Sequence, residues 1–351
     1  MATHVFLGSP EATEPLTHEL LRSFPRSRCE THPPALVIAQ DAPPLLPTSP
    51  AVVFARQILP DAEPVAAASI RLWAELLAQR CLAALPEGQP WRLHVFPHYG
   101  AADAGRHRCE LIVAALREHL RQRHRRTLRA LDTALTPFTP AHSLVQLALT
   151  SPETGFLSLA LAPTPSALRH LVVPQPEGDV PIASDKAAPS RAFAKLVEAE
   201  IRLGLRIPSD ATCVDLGASP GSWSYTALQR GAYVIAVDRS PLRPDVMQHP
   251  RLAFVEGDAF RFAPEAPVDW LLCDVIAAPE RSIDLLRRWI EQRLCAAFVV
   301  TIKFKGHADY PILDSLKSFL PAHCDAFVLT RLCANRNEAC AAGILRPAGA
   351  G

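Results

Sequence analysis

Lysine is scarce in this chain of 351 residues, so each lysine is a candidate for proton chemistry. Arginine supplies most of the 36 basic side chains. Unlike arginine, a lysine can lose its proton in a desolvated site or beside another positive charge, and it then serves as a base. The five lysines are Lys186, Lys195, Lys303, Lys305 and Lys317. A catalytic base of this type would be one of these five.

A glycine-containing turn follows the first strand of a regular strand–helix alternation. It reads V-D-L-G-A-S-P-G-S-W over residues 214–223. The first glycine allows a sharp turn beneath a ligand, and the second lets the backbone approach the next helix closely. The spacing is neither the G-x-G-x-x-G dinucleotide fingerprint nor a G-x-x-x-x-G-K-[ST] phosphate loop. We predict a cofactor-binding turn with the candidate residues Gly217, Ser219, Pro220, Gly221, Ser222 and Trp223.

Aspartates stand at the ends of the next three predicted strands. Asp238 comes 21 residues after Gly217 and is placed to accept the ribose hydroxyls of an adenosine. Asp258 is placed to meet the adenine amino group, and Asp274 is expected to face the same crevice. With the dinucleotide and ATP fingerprints missing, S-adenosyl-L-methionine is the cofactor that fits best.

The alternation that carries these residues runs through the C-terminal half of the chain. Segments such as TCVDLGA, YVIAVD and VDWLLCDV have strand character and are separated by helical patterns. This order predicts an α/β fold with a doubly wound, mostly parallel sheet, which binds ligands where the strand order switches. We predict a catalytic domain over residues 189–345, preceded by a proline-rich linker over residues 166–188.

The N-terminal half has weaker patterns. Residues 1–65 contain short apolar runs between prolines, which suggests a small α/β unit, and residues 66–165 read as helices and strands around a basic segment. That segment, residues 106–129, is helical by period and has a local charge of +6. A solvated helix face and an RNA-backbone contact surface explain it equally well.

Composition excludes several classes of protein. The net charge of +1 gives no argument for a nucleic-acid partner, and no apolar run is long enough for a membrane span. Nine scattered cysteines without a C-x-x-C pair predict reduced thiols and no metal site. The N-terminus lacks a basic leader before an apolar run, so we expect a cytoplasmic protein.

Five motifs together resemble those of the FtsJ-like ribose 2′-O-methyltransferases. They are A-P-S-R-A-F-A-K-L (188–196), D-L-G-A-S-P-G-S-W (215–223), W-L-L-C-D (270–274), T-I-K-F (301–304) and R-N-E (336–338). The resemblance covers roughly residues 185–345 and implies a Rossmann-like class I methyltransferase domain. It also implies a catalytic tetrad of Lys195, Asp274, Lys303 and Glu338.

The resemblance implies a role for each tetrad residue. Lys303 would be the base that takes the 2′-hydroxyl proton, with Lys195 as the neighbouring cation. Asp274 and Glu338 would orient the two amines, and Lys305 is the second candidate for the base. The chain departs from the family at Ala192, where serine is common, and at Ser222, where glycine is usual.

The resemblance extends more loosely to the N-terminal half and to the substrate. It implies a ferredoxin-like unit (1–65) and a THUMP-type RNA-binding domain (66–165). The expected reaction is methylation of a cytidine in large-subunit (23S) rRNA, as a protein-poor precursor, with neither DNA nor a membrane as partner. Three alternatives stay open, namely an RNA-binding or assembly protein without useful catalysis, a methyltransferase for another RNA, and a nicotinamide or small-molecule enzyme on the same fold. The sequence predicts no oligomeric state.

Overall fold

The computed structural model describes residues 2–45, 49–100, 104–134, 139–164 and 175–347. The chain forms two compact units, Met1–Asp179 and Val180–Gly351. Within the described residues, no helix has the length and apolar character needed to cross a membrane.

The N-terminal unit contains two four-stranded sheets. The first has the order β2-β3-β1-β4 and is antiparallel. Its elements are β1 (Ala2–Leu7), α1 (Thr13–Ser23), β2 (Arg28–His32), β3 (Leu36–Ala42) and β4 (Gln57–Leu59). Apolar side chains of this sheet, such as Val5 and Ile38, share a buried cluster with Phe96 and Ala148 of the second sheet. The two sheets therefore have part of their cores in common.

The second sheet has the order β5-β8-β7-β6, with β6 and β7 parallel. Its elements are β5 (Glu63–Ala66), α2 (Ile70–Ala84), β6 (Trp91–Pro97), α3 (Arg106–Arg123), α4 (Arg125–Arg129), β7 (Ser143–Leu149) and β8 (Thr154–Ala160). Buried residues recur every four positions on each helix and pack it against the sheet, namely Trp73, Leu77 and Cys81 of α2 and Ile112, Leu116 and Leu120 of α3. The predicted basic helix is thus two helices, because His124 has non-helical backbone angles.

The predicted division at residues 65 and 66 falls inside β5, and the ferredoxin-like and THUMP-type assignments stay predictions. Residues 166–174 of the predicted linker lie outside the described residues. The change from one compact unit to the other comes at Asp179 and Val180.

The C-terminal unit alternates strands and helices as predicted. Its elements are α5 (Phe193–Leu203), β9 (Thr212–Leu216), α6 (Ser222–Gln229), β10 (Tyr233–Asp238), α7 (Pro244–Met247), β11 (Leu252–Glu256), β12 (Val268–Cys273), α8 (Pro279–Glu291), β13 (Cys295–Lys303), α9 (Asp314–His323), β14 (Cys324–Thr330) and β15 (Glu338–Leu345). Helix α5 buries Leu196, Ala199 and Leu203 at spacings of three and four, which directs Lys195 along the edge of that apolar face.

The sheet of this unit has the order β11-β10-β9-β12-β13-β15-β14. The strands from β9 to β13 are parallel, and β15 runs antiparallel to β13 and β14. The predicted doubly wound, mostly parallel sheet is therefore confirmed. Its strand order reverses between β9 and β12, and ligands bind at such a switch point.

Candidate active site

The turn after β9 is shaped by two glycines in the left-handed region. Gly217 has a φ of +73°, and a Cβ there would lie 2.9 Å from Cβ of Val275 in the loop after β12. Gly221 has a φ of +108° and starts α6. Only glycine adopts these angles at little cost. The absence of a Cβ at Gly217 also lets the turn lie directly against the loop after β12.

The two loops enclose a cavity of about 370 Å³ at the switch point. Its lining is formed by Ser190, Ala192, Asp215, Gly217, Ala218, Ser219, Pro220, Ser222, Trp223, Asp238, Asp274, Val275, Ile276 and Lys303. The predicted cofactor-binding turn and the predicted carboxylates Asp238 and Asp274 thus line one cavity.

Lys195 lies behind this cavity between two carboxylates. Its Nζ is 3.2 Å from both Oδ1 and Oδ2 of Asp274 and 2.6 Å from Oε1 of Glu338. Burial works against the charged form of Lys195, but Asp274 and Glu338 outweigh that effect and raise its pKa. Lys195 is therefore held as a cation, as its predicted role requires.

Lys303 lies on the cavity side of Asp274. Its Nζ donates to the backbone oxygen of Asp274 at 2.7 Å and lies 3.0 Å from Oδ1 of the same residue. Antiparallel pairing places Lys303 opposite Glu338 across β13 and β15. The four tetrad residues predicted from the resemblance thus lie together, and Asp274 and Lys303 are the two that reach the cavity.

Asp274 has a further partner that the sequence analysis missed. Thr301 donates its hydroxyl to Oδ1 of Asp274 at 2.6 Å and is fully buried. Thr301 and Lys303 are two residues apart on β13, so their side chains project from the same face of the sheet. The two-residue spacing of Thr301 and Lys303 in the predicted strand could have indicated from the sequence that Thr301 lies beside the site.

Asp215 is a second buried carboxyl beneath the cavity. Its Oδ2 accepts a hydrogen bond from Ser224 Oγ at 2.7 Å. Burial raises the pKa of Asp215 to about 7, and the charges of Asp274 and Asp238 add to the effect. The floor of the cavity therefore holds a carboxyl that is partly protonated at neutral pH.

Asp238 and Asp258, the two predicted adenosine ligands, have different surroundings. Asp238 lines the cavity and accepts backbone N–H groups of Ser219 and Ser240, both at 2.9 Å. Asp258 does not line it, and its carboxylate accepts from Phe260 N and pairs with Arg239 at 2.7 Å. The backbone N–H of Phe260 and the Arg239 guanidinium lower the pKa of Asp258.

Three further positions singled out in the sequence are Lys305, Ser222 and Ala192. Lys305 is exposed and lies outside the cavity lining, which leaves Lys303 as the lysine at the cavity wall. At the two departures from the family pattern, Ser222 hydrogen-bonds Ser190 at 2.7 Å, and the carbonyl of Ala192 accepts the Trp223 indole N–H at 2.8 Å. These bonds join the segment before α5 to the start of α6.

Comparison with known families identifies the region that carries this site. Residues 188–310 match the model of the FtsJ-like methyltransferases. The predicted resemblance is confirmed. The matched residues include Lys195, the turn after β9, Asp274 and Lys303, whereas Glu338 lies beyond them.

Curated relatives of this chain bear the name of a ribosomal RNA methyltransferase. Ribosomal RNA large subunit methyltransferase M of Laribacter hongkongensis is 35% identical over 178 residues, which is 49% of this chain and 46% of that protein. The protein of the same name from Pseudomonas putida KT2440 is 34% identical over 197 residues, or 52% of each chain. This chain therefore spans about half the length of the curated relatives it matches.

Solved structures resemble the chain more weakly. TrmN from Thermus thermophilus covers 98% of this chain and 100% of its own, with 15% identity and a TM-score of 0.33. That likeness is too weak to assign a function.

Proposed function

We propose that this chain transfers the methyl group of S-adenosylmethionine to the ribose 2′-hydroxyl of a cytidine in large-subunit rRNA. The observation that carries the proposal is the cluster of Lys195, Asp274, Lys303 and Glu338 at one end of the cavity, with Lys303 at its wall. A ribose hydroxyl is a poor nucleophile, and a positioned lysine is a suitable base for it.

The lining of the cavity fits this cofactor. Asp238 and Asp274 face one lysine, Lys303, and burial raises the pKa of Asp215 and so reduces its charge. The lining keeps a modest negative excess, which disfavours a phosphate. The cavity volume of about 370 Å³ lies in the range of small-molecule sites. Asp238 would hold the ribose diol, and the turn after β9 would hold the rest of the adenosine. The bound cofactor supplies an activated methyl group on its sulfonium.

The residues of the chain supply alignment and a proton acceptor. Lys303 would take the proton of the 2′-hydroxyl, and its Nζ is directed by the backbone oxygen of Asp274. Lys195 and Thr301 share the Asp274 carboxylate with Lys303, so this carboxylate is held between three donors. Glu338 balances the charge of Lys195.

The choice of rRNA as substrate rests on the names of the relatives and on the basic helices of the N-terminal unit. The expected substrate is a protein-poor precursor of the large subunit, as the resemblance to the FtsJ-like family implies. Proteins contact RNA phosphates through arginine and lysine side chains. The N-terminal unit contains arginines and no lysine, so arginine would make these contacts.

The test is transfer of labelled methyl groups to unmodified, protein-free large-subunit rRNA, followed by mapping of the product. We expect one 2′-O-methylated cytidine and a loss of at least about a hundredfold in Lys303→Ala. Lys305→Ala is the matched control, because it removes a neighbouring exposed lysine outside the cavity, and it should keep the wild-type rate.

Three results would contradict the proposal. Equal rates in Lys303→Ala and wild type would exclude Lys303 as the base. Cofactor binding without transfer to any RNA would favour an RNA-binding or assembly protein on the same fold, and methylation of a different RNA would correct the substrate.

A further inference from the structure

A second cavity lies within the N-terminal unit, beside the break between α3 and α4. Its volume is about 610 Å³. The loop after α2 forms one wall, and the end of α3 with α4 forms the other. Its lining includes the apolar residues Leu82, Leu85 and Pro86 and the basic residues Arg123, Arg125 and Arg126. None of them belongs to the methyltransferase domain.

The cavity has an excess of positive charge. Glu87 is its one acidic lining residue within the described part of the chain, and it pairs with Arg126 at 2.7 Å. Both of those side chains are largely exposed, so this pair is weak and exchangeable. Arg123 has no acidic partner among the described residues, and Arg125 at the start of α4 donates its Nε–H to the backbone oxygen of Arg121 in α3.

Other arginines of α3 are engaged elsewhere. Arg106 lies 3.5 Å from Glu177, and Arg121 pairs with Glu118 at 2.8 Å. The Nε of Arg108 donates to the backbone oxygen of Pro152. The cavity combines its arginines with an apolar wall, whereas the exposed Arg117 and Arg129 of the same two helices lie outside it.

Trp91 connects the two walls of the cavity through hydrogen bonds. Trp91 is buried, and its indole N–H donates to the backbone oxygen of Thr127 in α4 at 2.9 Å. The backbone N–H of Trp91 donates to Ala130 at 3.0 Å. In these walls, Leu82 is 39% exposed and Leu85 is half-buried, which leaves an apolar surface beside the arginines.

We infer that this cavity binds one unpaired nucleotide of the substrate RNA, with its phosphate on Arg123 and Arg125 and its base against Leu82, Leu85 and Pro86. The inference rests on the proposed function, because it takes the substrate to be RNA. A duplex presents phosphates along its outside and keeps its bases stacked, so it would leave the apolar wall unused. Proteins bind unpaired nucleotides through phosphate contacts combined with contacts to exposed base faces.

The test is binding of a short fluorescent RNA to the full chain, single-stranded and as a duplex, without cofactor. Arg123→Ala/Arg125→Ala should weaken binding of the single strand about tenfold and reduce the slope of log K against log salt by about 0.7, because the two arginines contact one phosphate. Arg117→Ala/Arg129→Ala is the matched control. It removes two exposed arginines of the same two helices outside the cavity, and its affinity should stay within about twofold of wild type.

A second variant tests the apolar wall. Leu82→Ser should weaken a normal single strand about threefold and leave an abasic strand of equal length unchanged. Equal losses in the two arginine pairs, or tighter binding of the duplex than of the single strand, would overturn the inference. So would a loss of thermal stability in Arg123→Ala/Arg125→Ala with unchanged affinity, since arginines at a helix C-terminus also stabilise the helix.

These outcomes are separate from those of the proposed function. Methyl transfer that depends on Lys303, with unchanged RNA affinity in Arg123→Ala/Arg125→Ala, refutes the inference alone. Cavity-dependent RNA binding without methyl transfer refutes the proposed reaction alone.

Discussion

The cavity at the switch point and the cavity beside α4 hold their charges in opposite ways. At the switch point, Lys195 and Glu338 are about one-tenth exposed, and Asp274 has defined partners on both sides. Beside α4, Arg126 and Glu87 are 84% and 72% exposed, and their pairing is exchangeable. Buried charges with fixed partners suit chemistry at one atom, and exposed charges suit a long, flexible polyanion.

The largest effect that tests this comparison is the pH dependence of stability set by Asp215. Its pKa is raised from 3.8 to about 7, mainly by burial. Above pH 4 the unfolded chain releases this proton and the folded chain keeps it, so stability falls as pH rises towards 7. Asp215→Asn should remove a slope of about 1.4 kcal/mol per pH unit, measured by denaturant unfolding from pH 4 to 7.

Asp258 supplies a control of opposite sign. Its pKa is lowered by the Phe260 backbone N–H and Arg239, so its contribution to stability is lost as pH falls. Asp258→Asn should therefore show no gain in stability relative to wild type as pH rises. If the free energy of unfolding of Asp215→Asn and of wild type changed in parallel with pH, the Asp215 carboxyl would not be buried.

The next effect concerns Thr301, which directs Asp274 without reaching the cavity. Thr301→Val keeps the shape and removes the hydroxyl that donates to Oδ1. A hydrogen bond to a buried charge is worth about 1.5–3 kcal/mol, so we expect the single-turnover rate to fall about tenfold or more. The KM values for cofactor and RNA should stay unchanged.

The conservative variant distinguishes positioning from packing. Thr301→Ser retains the donor and loses a methyl group, so it should recover most of the rate. A rate loss in Thr301→Ser equal to that in Thr301→Val would assign the effect to packing in β13.

The smallest effect comes from the exposed pair beside α4. Glu87→Gln removes the acidic partner of Arg126 and should strengthen single-stranded RNA binding about two- to threefold at low salt. The gain should vanish at high salt, because exposed charges are screened. Weaker binding in Glu87→Gln would show that Glu87 itself contacts the RNA.

The strands and helices of the C-terminal unit were predictable because each strand is short, apolar and bounded by turn residues. YVIAVD, for example, coincides with β10. The turn after β9 was predictable because Gly217 and Gly221 follow an apolar strand at a short spacing, and both glycines adopt a positive φ in the structure. The division of the N-terminal half was harder, since its two sheets share a core that joins residues such as Val5 and Ala148, far apart in the chain.

Residue types and local spacing determined the parallel α/β domain, the turn after β9 and the aspartates at the strand ends, and the resemblance of the motifs to the FtsJ-like family supplied the tetrad. Tertiary structure alone decided which of them meet. Pairing of β13 with β15 places Lys303 opposite Glu338, and the chain turns away before Lys305. Tertiary structure also decided that Thr301 donates to Asp274, that Asp258 lies outside the cavity lining and that arginines gather at the cavity beside α4. The physical reason is that side-chain direction and strand register depend on partners distant in sequence, which local patterns do not encode.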